Sequence, residues 1–139
     1  MKIKLLLFFI AILPLTRVSA QVKTPNTCTD KTKAEVMTSI VFYKQKLLKG
    51  SKVQLSTYKL GMCYYKLNML DTSIYYFDKL IALNPKYPAA YSNRGLCKLL
   101  SKNKTGACQD FSLSIKNGED HKIVNNKKLS EWLKTECSL

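Results

Sequence analysis

Displaced by 34 positions, the sequence meets itself at Gly61 and Gly95, Cys63 and Cys97, Phe77 and Phe111, and Ile81 and Ile115. Ser73 and Ala107, both small, fall in the same register. Four identities persuade by position rather than by number. A small residue in a first helix (Gly61, Gly95) lets a second helix approach closely. Another small residue twelve positions on (Ser73, Ala107) meets it from the other side, and an aromatic four beyond that (Phe77, Phe111) fills the junction. Pro85 follows Phe77 by eight, where one unit must turn into the next. A period of this length belongs to stacked supersecondary units that share a continuous core.

Between those landmarks the apolar spacing is helical throughout. Thr29 or Asp30 caps a first helix, in which Met37, Ile40, Val41, Lys44, Leu47 and Leu48 fall at helical spacing and Gly50 is the stop. A second helix runs from about Val53 to Leu67, with Leu60, Tyr64 and Leu67 on one face. Asp71 caps a third, whose apolar side is Ile74, Phe77, Leu80, Ile81 and Leu83 and which Asn84-Pro85 closes. A fourth covers about Ala89 to Ser101, and a fifth about Thr105 to Lys116, ended by Asn117-Gly118. A last amphipathic piece near Lys127 to Cys137 presents Leu129, Trp132 and Leu133. No alternating strand pattern occurs, so the expected class is all-α with short turns.

The pattern resembles the tetratricopeptide repeat, a 34-residue helix–turn–helix unit. Leu60, Gly61, Tyr64, Ser73, Phe77, Leu80 and Pro85 fit the family's signature positions in a first copy, about 54–87. Gly95, Ala107 and Phe111 fit in a second, about 88–120, which departs from the pattern at Lys98, where an aromatic is usual, at Ser114, and in lacking the closing Pro. The stretch 30–50 is an N-terminal helix or the second half of a worn upstream copy, with Ser39 and Tyr43 in register with Ser73 and Phe77. The resemblance implies a short α-solenoid of two repeats, with flanking helices at 30–49 and in 121–139 as caps. The wording Asn93-Arg94-Gly95 and Gly106-Ala107-Cys108-Gln109-Asp110-Phe111 looks like that of secreted family members of Gram-negative envelopes.

The resemblance also implies a concave face lined by the first helix of each repeat. It places there Tyr58, Met62, Tyr65 and Lys66 from the first copy, and Ser92, Leu96 and Leu99 from the second, with Lys59 and Asn93 beside them. Tyr, Met and Leu side chains make an adaptable groove for a peptide. Asn93 matches one position of the clamp by which some family members hold a C-terminal carboxylate, and Lys59 adds charge. Met62 and Ala89 stand where that clamp has polar residues. If the helix at 30–49 lies over Tyr65, Leu96 and Leu99, no open groove remains.

The first twenty residues have the layout of a cleavable secretory leader. Met1-Lys2-Ile3-Lys4 is cationic, Leu5 to Leu13 is an unbroken apolar run, and Val18-Ser19-Ala20 sets small residues before Gln21. Nine apolar residues rise only about 14 Å as helix, roughly half a bilayer core, so a stable transmembrane anchor is not expected. The expectation is a secreted or periplasmic protein, cleaved after Ala20, with an extended lead-in at 21–29. A mature chain of 119 residues supports one modest domain burying roughly 65% of its unfolded surface.

All five cysteines lie beyond residue 20, a density that suits an oxidising compartment. Cys63 and Cys97 sit two residues after the repeat glycines, where a small buried residue is expected. Equivalent sites in successive repeats stand about 10 Å apart, too far for a bridge. Cys108 and Cys137 are the expected disulfide, which would staple the last helix onto the second repeat and contribute about 3–4 kcal/mol; Cys28 has no clear partner. No C-x-x-C pair, zinc spacing or phosphate-binding loop occurs, and the single His121 lies in a polar stretch, so neither catalysis, metal nor cofactor is implied.

Against 23 basic side chains stand only 9 acids, a formal net charge of +14. The lysines are dispersed, without the interleaved aromatics that nucleic-acid binding needs. Two functions stay open: a scaffold that binds a protein or peptide in its groove, and a basic envelope protein held by charge to an anionic polymer or lipid surface.

Overall fold

The computed structural model describes residues 30–87, 89–118 and 127–138. The expected leader, the lead-in with Cys28, and His121 lie outside the described residues. Among the described residues six helices follow one another: α1 (Asp30–Leu48), α2 (Val53–Lys66), α3 (Leu70–Leu83), α4 (Ala90–Leu100), α5 (Lys104–Lys116) and α6 (Lys127–Glu136). There is no strand among the described residues. From α1 to α5 each helix packs on the one after it, giving an all-α solenoid.

The 34-residue register extends to the backbone. Asn68 and Lys102, at the same place in the two intra-repeat turns, both take a left-handed conformation, with φ of 58° and 64°. The next residues, Met69 (φ −89°, ψ 71°) and Asn103 (φ −84°, ψ 75°), cap the following helix in nearly the same conformation. Asn103 caps fully, since its side chain accepts the Gly106 N–H at 2.9 Å. Asp71 does not take the expected cap position. The left-handed turn at Asn68 starts α3 at Leu70, which leaves Asp71 in the first turn, where its charge still favours the helix N-terminus.

Gly61 and Gly95 lie where an aromatic ring crosses the helix. A Cβ on Gly61 would stand 2.9 Å from the Phe77 ring, and one on Gly95 would stand 3.2 Å from the Phe111 ring and Asp110 Cβ. Ser73 completes the first junction by donating its hydroxyl to the Gly61 carbonyl at 2.8 Å. Phe77 has no exposed surface and a filled surround, so its ring has little freedom to retreat. Gly61→Ala is therefore expected to cost about 1–3 kcal/mol by overpacking. The measurement is a urea unfolding curve, where the midpoint falls at unchanged slope. An unchanged midpoint would show that the helices separate freely at this crossing.

Three apolar clusters run along the solenoid. Val36 and Ile40 of α1 pack with Leu60, Cys63 and Tyr64 of α2. Phe77 and Leu80 of α3 pack with Ala90 and Cys97 of α4. Ala107 and Phe111 of α5 pack with Leu133 of α6, where the Trp132 ring meets Phe111 edge-on at 6.2 Å. Lys104 also pairs with Glu136 across these two helices. The sulfurs of Cys108 and Cys137 stand at disulfide distance, with Cα atoms 5.4 Å apart. Cys63 and Cys97 are both buried.

The inward face of α1 differs from the expected one by about one residue. Val36, Ile40, Tyr43 and Leu47 face the core, whereas Met37, Val41 and Leu48 are exposed. The apolar stripe on α1 is wider than a single neighbour can cover, and periodicity alone does not say which edge of it turns inward.

Candidate functional site

The first helices of the two repeats, α2 and α4, supply the residues of the expected groove. Tyr58, Met62 and Tyr65 are half-buried against the cluster of Phe77, Leu80, Ala90 and Cys97. Tyr58 lies edge-on to Phe77 at 6.2 Å and against Tyr87 at 5.5 Å. These three side chains thus bridge the repeats while keeping part of their surface accessible, as suits large amphipathic or adaptable contact residues. Lys59 and Lys66 are exposed, and the Lys59 ammonium lies 6.0 Å from the Tyr58 ring centre.

The second repeat contributes less open surface. Ser92 is buried, and the Asn93 side-chain amide donates to the Ala89 carbonyl at 2.6 Å. An incoming carboxylate would have to compete with that bond. Leu96 and Leu99 belong to the cluster of Ala107, Phe111 and Leu133, which Leu129 and Trp132 also join. Their cover therefore comes from the cluster that α5 and α6 form. The alternative cover, α1, instead packs on the Leu60, Cys63 and Tyr64 side of α2. The signature residues Leu60, Gly61, Tyr64, Ser73, Phe77, Leu80, Gly95, Ala107 and Phe111 are all buried. Pro85 is exposed in the inter-repeat turn, where its carbonyl accepts from the Asn117 side chain at 3.3 Å.

A charged seam that sequence reasoning missed joins α3, α4 and α5. Arg94 grips Asp110 with two hydrogen bonds, from Nε at 2.8 Å and from Nη2 at 2.6 Å. Its remaining nitrogen, Nη1, reaches Asp78 at 2.6 Å, and Lys98 approaches Asp110 at 2.9 Å. Asp110 is 1% exposed, so its charge depends on these partners. Burial acts to lower the Arg94 pKa, but the hydrogen bonds and charges of Asp110 and Asp78 outweigh it and raise it. The available signal was the 34-residue register. Arg94, Lys98 and Asp110 stand where the first repeat has Leu60, Tyr64 and Tyr76, and Asp78 stands where α1 has Lys44.

The buried thiols offer little chemistry. Burial pushes both Cys63 and Cys97 above the usual thiol value, and Cys97 Sγ lies 3.2 Å from the Ser73 hydroxyl. Both remain protonated near neutral pH and act as small packing residues. Among the described residues no three His, Cys, Asp or Glu side chains converge as a metal-binding set. No described helix is long and apolar enough to cross a membrane.

No curated protein and no solved structure matches the chain. Residues 56–87 match the family model of the tetratricopeptide repeat, which supports a tetratricopeptide repeat family for this chain.

Proposed function

We propose that the chain is an exported, non-catalytic scaffold that holds a protein or peptide against the face of α2 and α4. The observation that carries this reading is the tetratricopeptide match at 56–87, on a pair of stacked helical hairpins. Repeats of this type present a continuous surface to a protein partner. Half-buried Tyr58, Met62 and Tyr65 supply its apolar contacts, and exposed Lys59 and Lys66 flank them with positive charge. Export is supported by the leader-like layout of residues 1–20. It also suits the Cys108–Cys137 pair, which an oxidising compartment would close into a covalent tie between α5 and the segment after α6.

The test is capture of partners by the full chain from a cell-envelope extract at low and high salt. A defined protein is expected to stay bound at high salt, and to be lost with Tyr65→Ala or with the exposed Lys66→Glu. Circular dichroism should show unchanged helicity in both variants. Leu96→Asp is unsuited to this purpose because Leu96 is part of the α5–α6 core cluster. Retention only at low salt, indifferent to both variants, would overturn the groove reading.

A further inference from the structure

The two ends of the helical stack differ in charge. At one end lie the α1–α2 turn, the α3–α4 turn and the C-terminus of α5. Their proximity is recorded in three contacts. Asn84 donates to the Gln54 side chain at 3.4 Å, Asn117 donates to the Pro85 carbonyl at 3.3 Å, and Leu47, Val53 and Leu83 line one shared cavity of about 410 Å³. This end carries the exposed lysines Lys49, Lys52, Lys86 and Lys116. Among the described residues no acidic residue stands in its turns, in the last turns of α1, α3 and α5, or in the first turns of α2, α4 and α6; Glu119 and Asp120, which follow α5 in the sequence, lie outside the described residues. The opposite end is mixed, with Asp71 in the first turn of α3 and Glu136 paired to Lys104.

Apolar side chains project from the same basic end. Leu48 is 89% exposed, and Val53, Leu55 and Leu83 are exposed beside it. The shared cavity behind them is walled by Ala82 and Leu83, with Lys79 at its edge. Lysines alone would be met by any polyanion. Leucines projecting among lysines, with no acid between them among the described residues, match a layered partner that offers anionic groups outside and an apolar layer beneath.

We infer that this end of the solenoid docks on the surface of an anionic lipid bilayer. Lys49, Lys52, Lys86 and Lys116 lie at headgroup level, and Leu48 and Leu83 enter the acyl boundary. In this orientation the helices stand end-on to the membrane, and the accessible part of the α2–α4 face at Tyr58, Met62 and Tyr65 takes no part in the contact. The membrane contact thus stands independently of what that face binds.

The test is flotation of the full chain with vesicles of phosphatidylcholine and phosphatidylglycerol (7:3), against vesicles of phosphatidylcholine alone and against soluble polyphosphate. The leader-like stretch is common to every variant and cancels in the comparison. Each lysine near an anionic surface contributes about fivefold in partitioning at physiological ionic strength, so Lys49→Gln, Lys52→Gln and Lys86→Gln together are expected to lower it about 100-fold. Leu48→Ser, at a site with almost no protein contact, is expected to lower it about tenfold. Removing equal charge at the other end, by Lys33→Gln, Lys102→Gln and Lys134→Gln, should change it less than about threefold, because those groups sit beyond the Debye length. Equal losses from the two triple variants would overturn the docking geometry. So would equal binding to neutral vesicles, or no binding to anionic ones. Binding of polyphosphate with Leu48→Ser neutral on both probes would overturn the bilayer in favour of a soluble polyanion.

Discussion

Phe77→Ala is expected to remove about 3–5 kcal/mol of folding free energy. The ring has no exposed surface and lies in the crevice that only a glycine at position 61 leaves open. It also meets Tyr58 edge-on and packs with Leu80, Ala90 and Cys97 between the repeats. Truncation therefore empties a space bounded largely by helix backbone, which cannot collapse without moving α2 against α3. Two contact surfaces weaken at once, the hairpin's own and the one between hairpins. In a chain stabilised by nearest-neighbour stacking, no distant core compensates. At about 4 °C per kcal/mol, the midpoint of thermal unfolding should fall by about 12–20 °C. Phe77→Leu, which keeps most of the volume, should cost much less. If the two variants lose equal stability, the ring's shape matters rather than the cavity, and the packing at Gly61 has been misread.

The parts legible in the sequence are those where chemistry allows one arrangement. Gly61 and Gly95 had to be where a ring crosses a helix, because no other residue leaves that gap, and the Phe77 and Phe111 rings lie there. The ends of several helices followed from turn residues, since Gly50, Asn84-Pro85 and Asn117-Gly118 mark real turns. Three features were less legible. Which edge of α1 faces inward depends on its neighbour, and Met37 and Ile40 look alike in a periodicity. What covers Leu96 and Leu99 depends on the cluster that α5 forms with α6, two elements away in sequence. The charged seam was hidden because Arg94, Lys98 and Asp110 appear as ordinary surface charges when read singly. Only register comparison shows that they occupy positions filled by Leu60, Tyr64 and Tyr76 one repeat earlier, where Tyr64 and Tyr76 stack at 5.4 Å.

That comparison yields the second large effect. Arg94→Leu is expected to cost about 3–5 kcal/mol, because it leaves the buried Asp110 carboxylate with Lys98 as its remaining cation among the ion pairs observed. The loss is read from the urea midpoint, and should sit toward the lower figure if Lys98 closes in. Combining Arg94→Leu with Lys98→Tyr and Asp110→Tyr copies the first repeat's seam into the second and removes the stranded charge. That variant should recover to within about 1 kcal/mol of the parent, since replacing a whole buried ion cluster by packed apolar groups is often neutral. Failure of the triple variant to recover would mean that the seam requires ions at this site. The parent seam then has a use beyond stability. α1 carries Lys44 where α3 carries Asp78. A misplaced α1 docking on α4 in place of α3 would set Lys44 against Arg94 and Lys98, whereas on α2 it lies 6.0 Å from the Tyr64 ring. Like charges reject the wrong stacking order, and the aromatic seam accepts the right one.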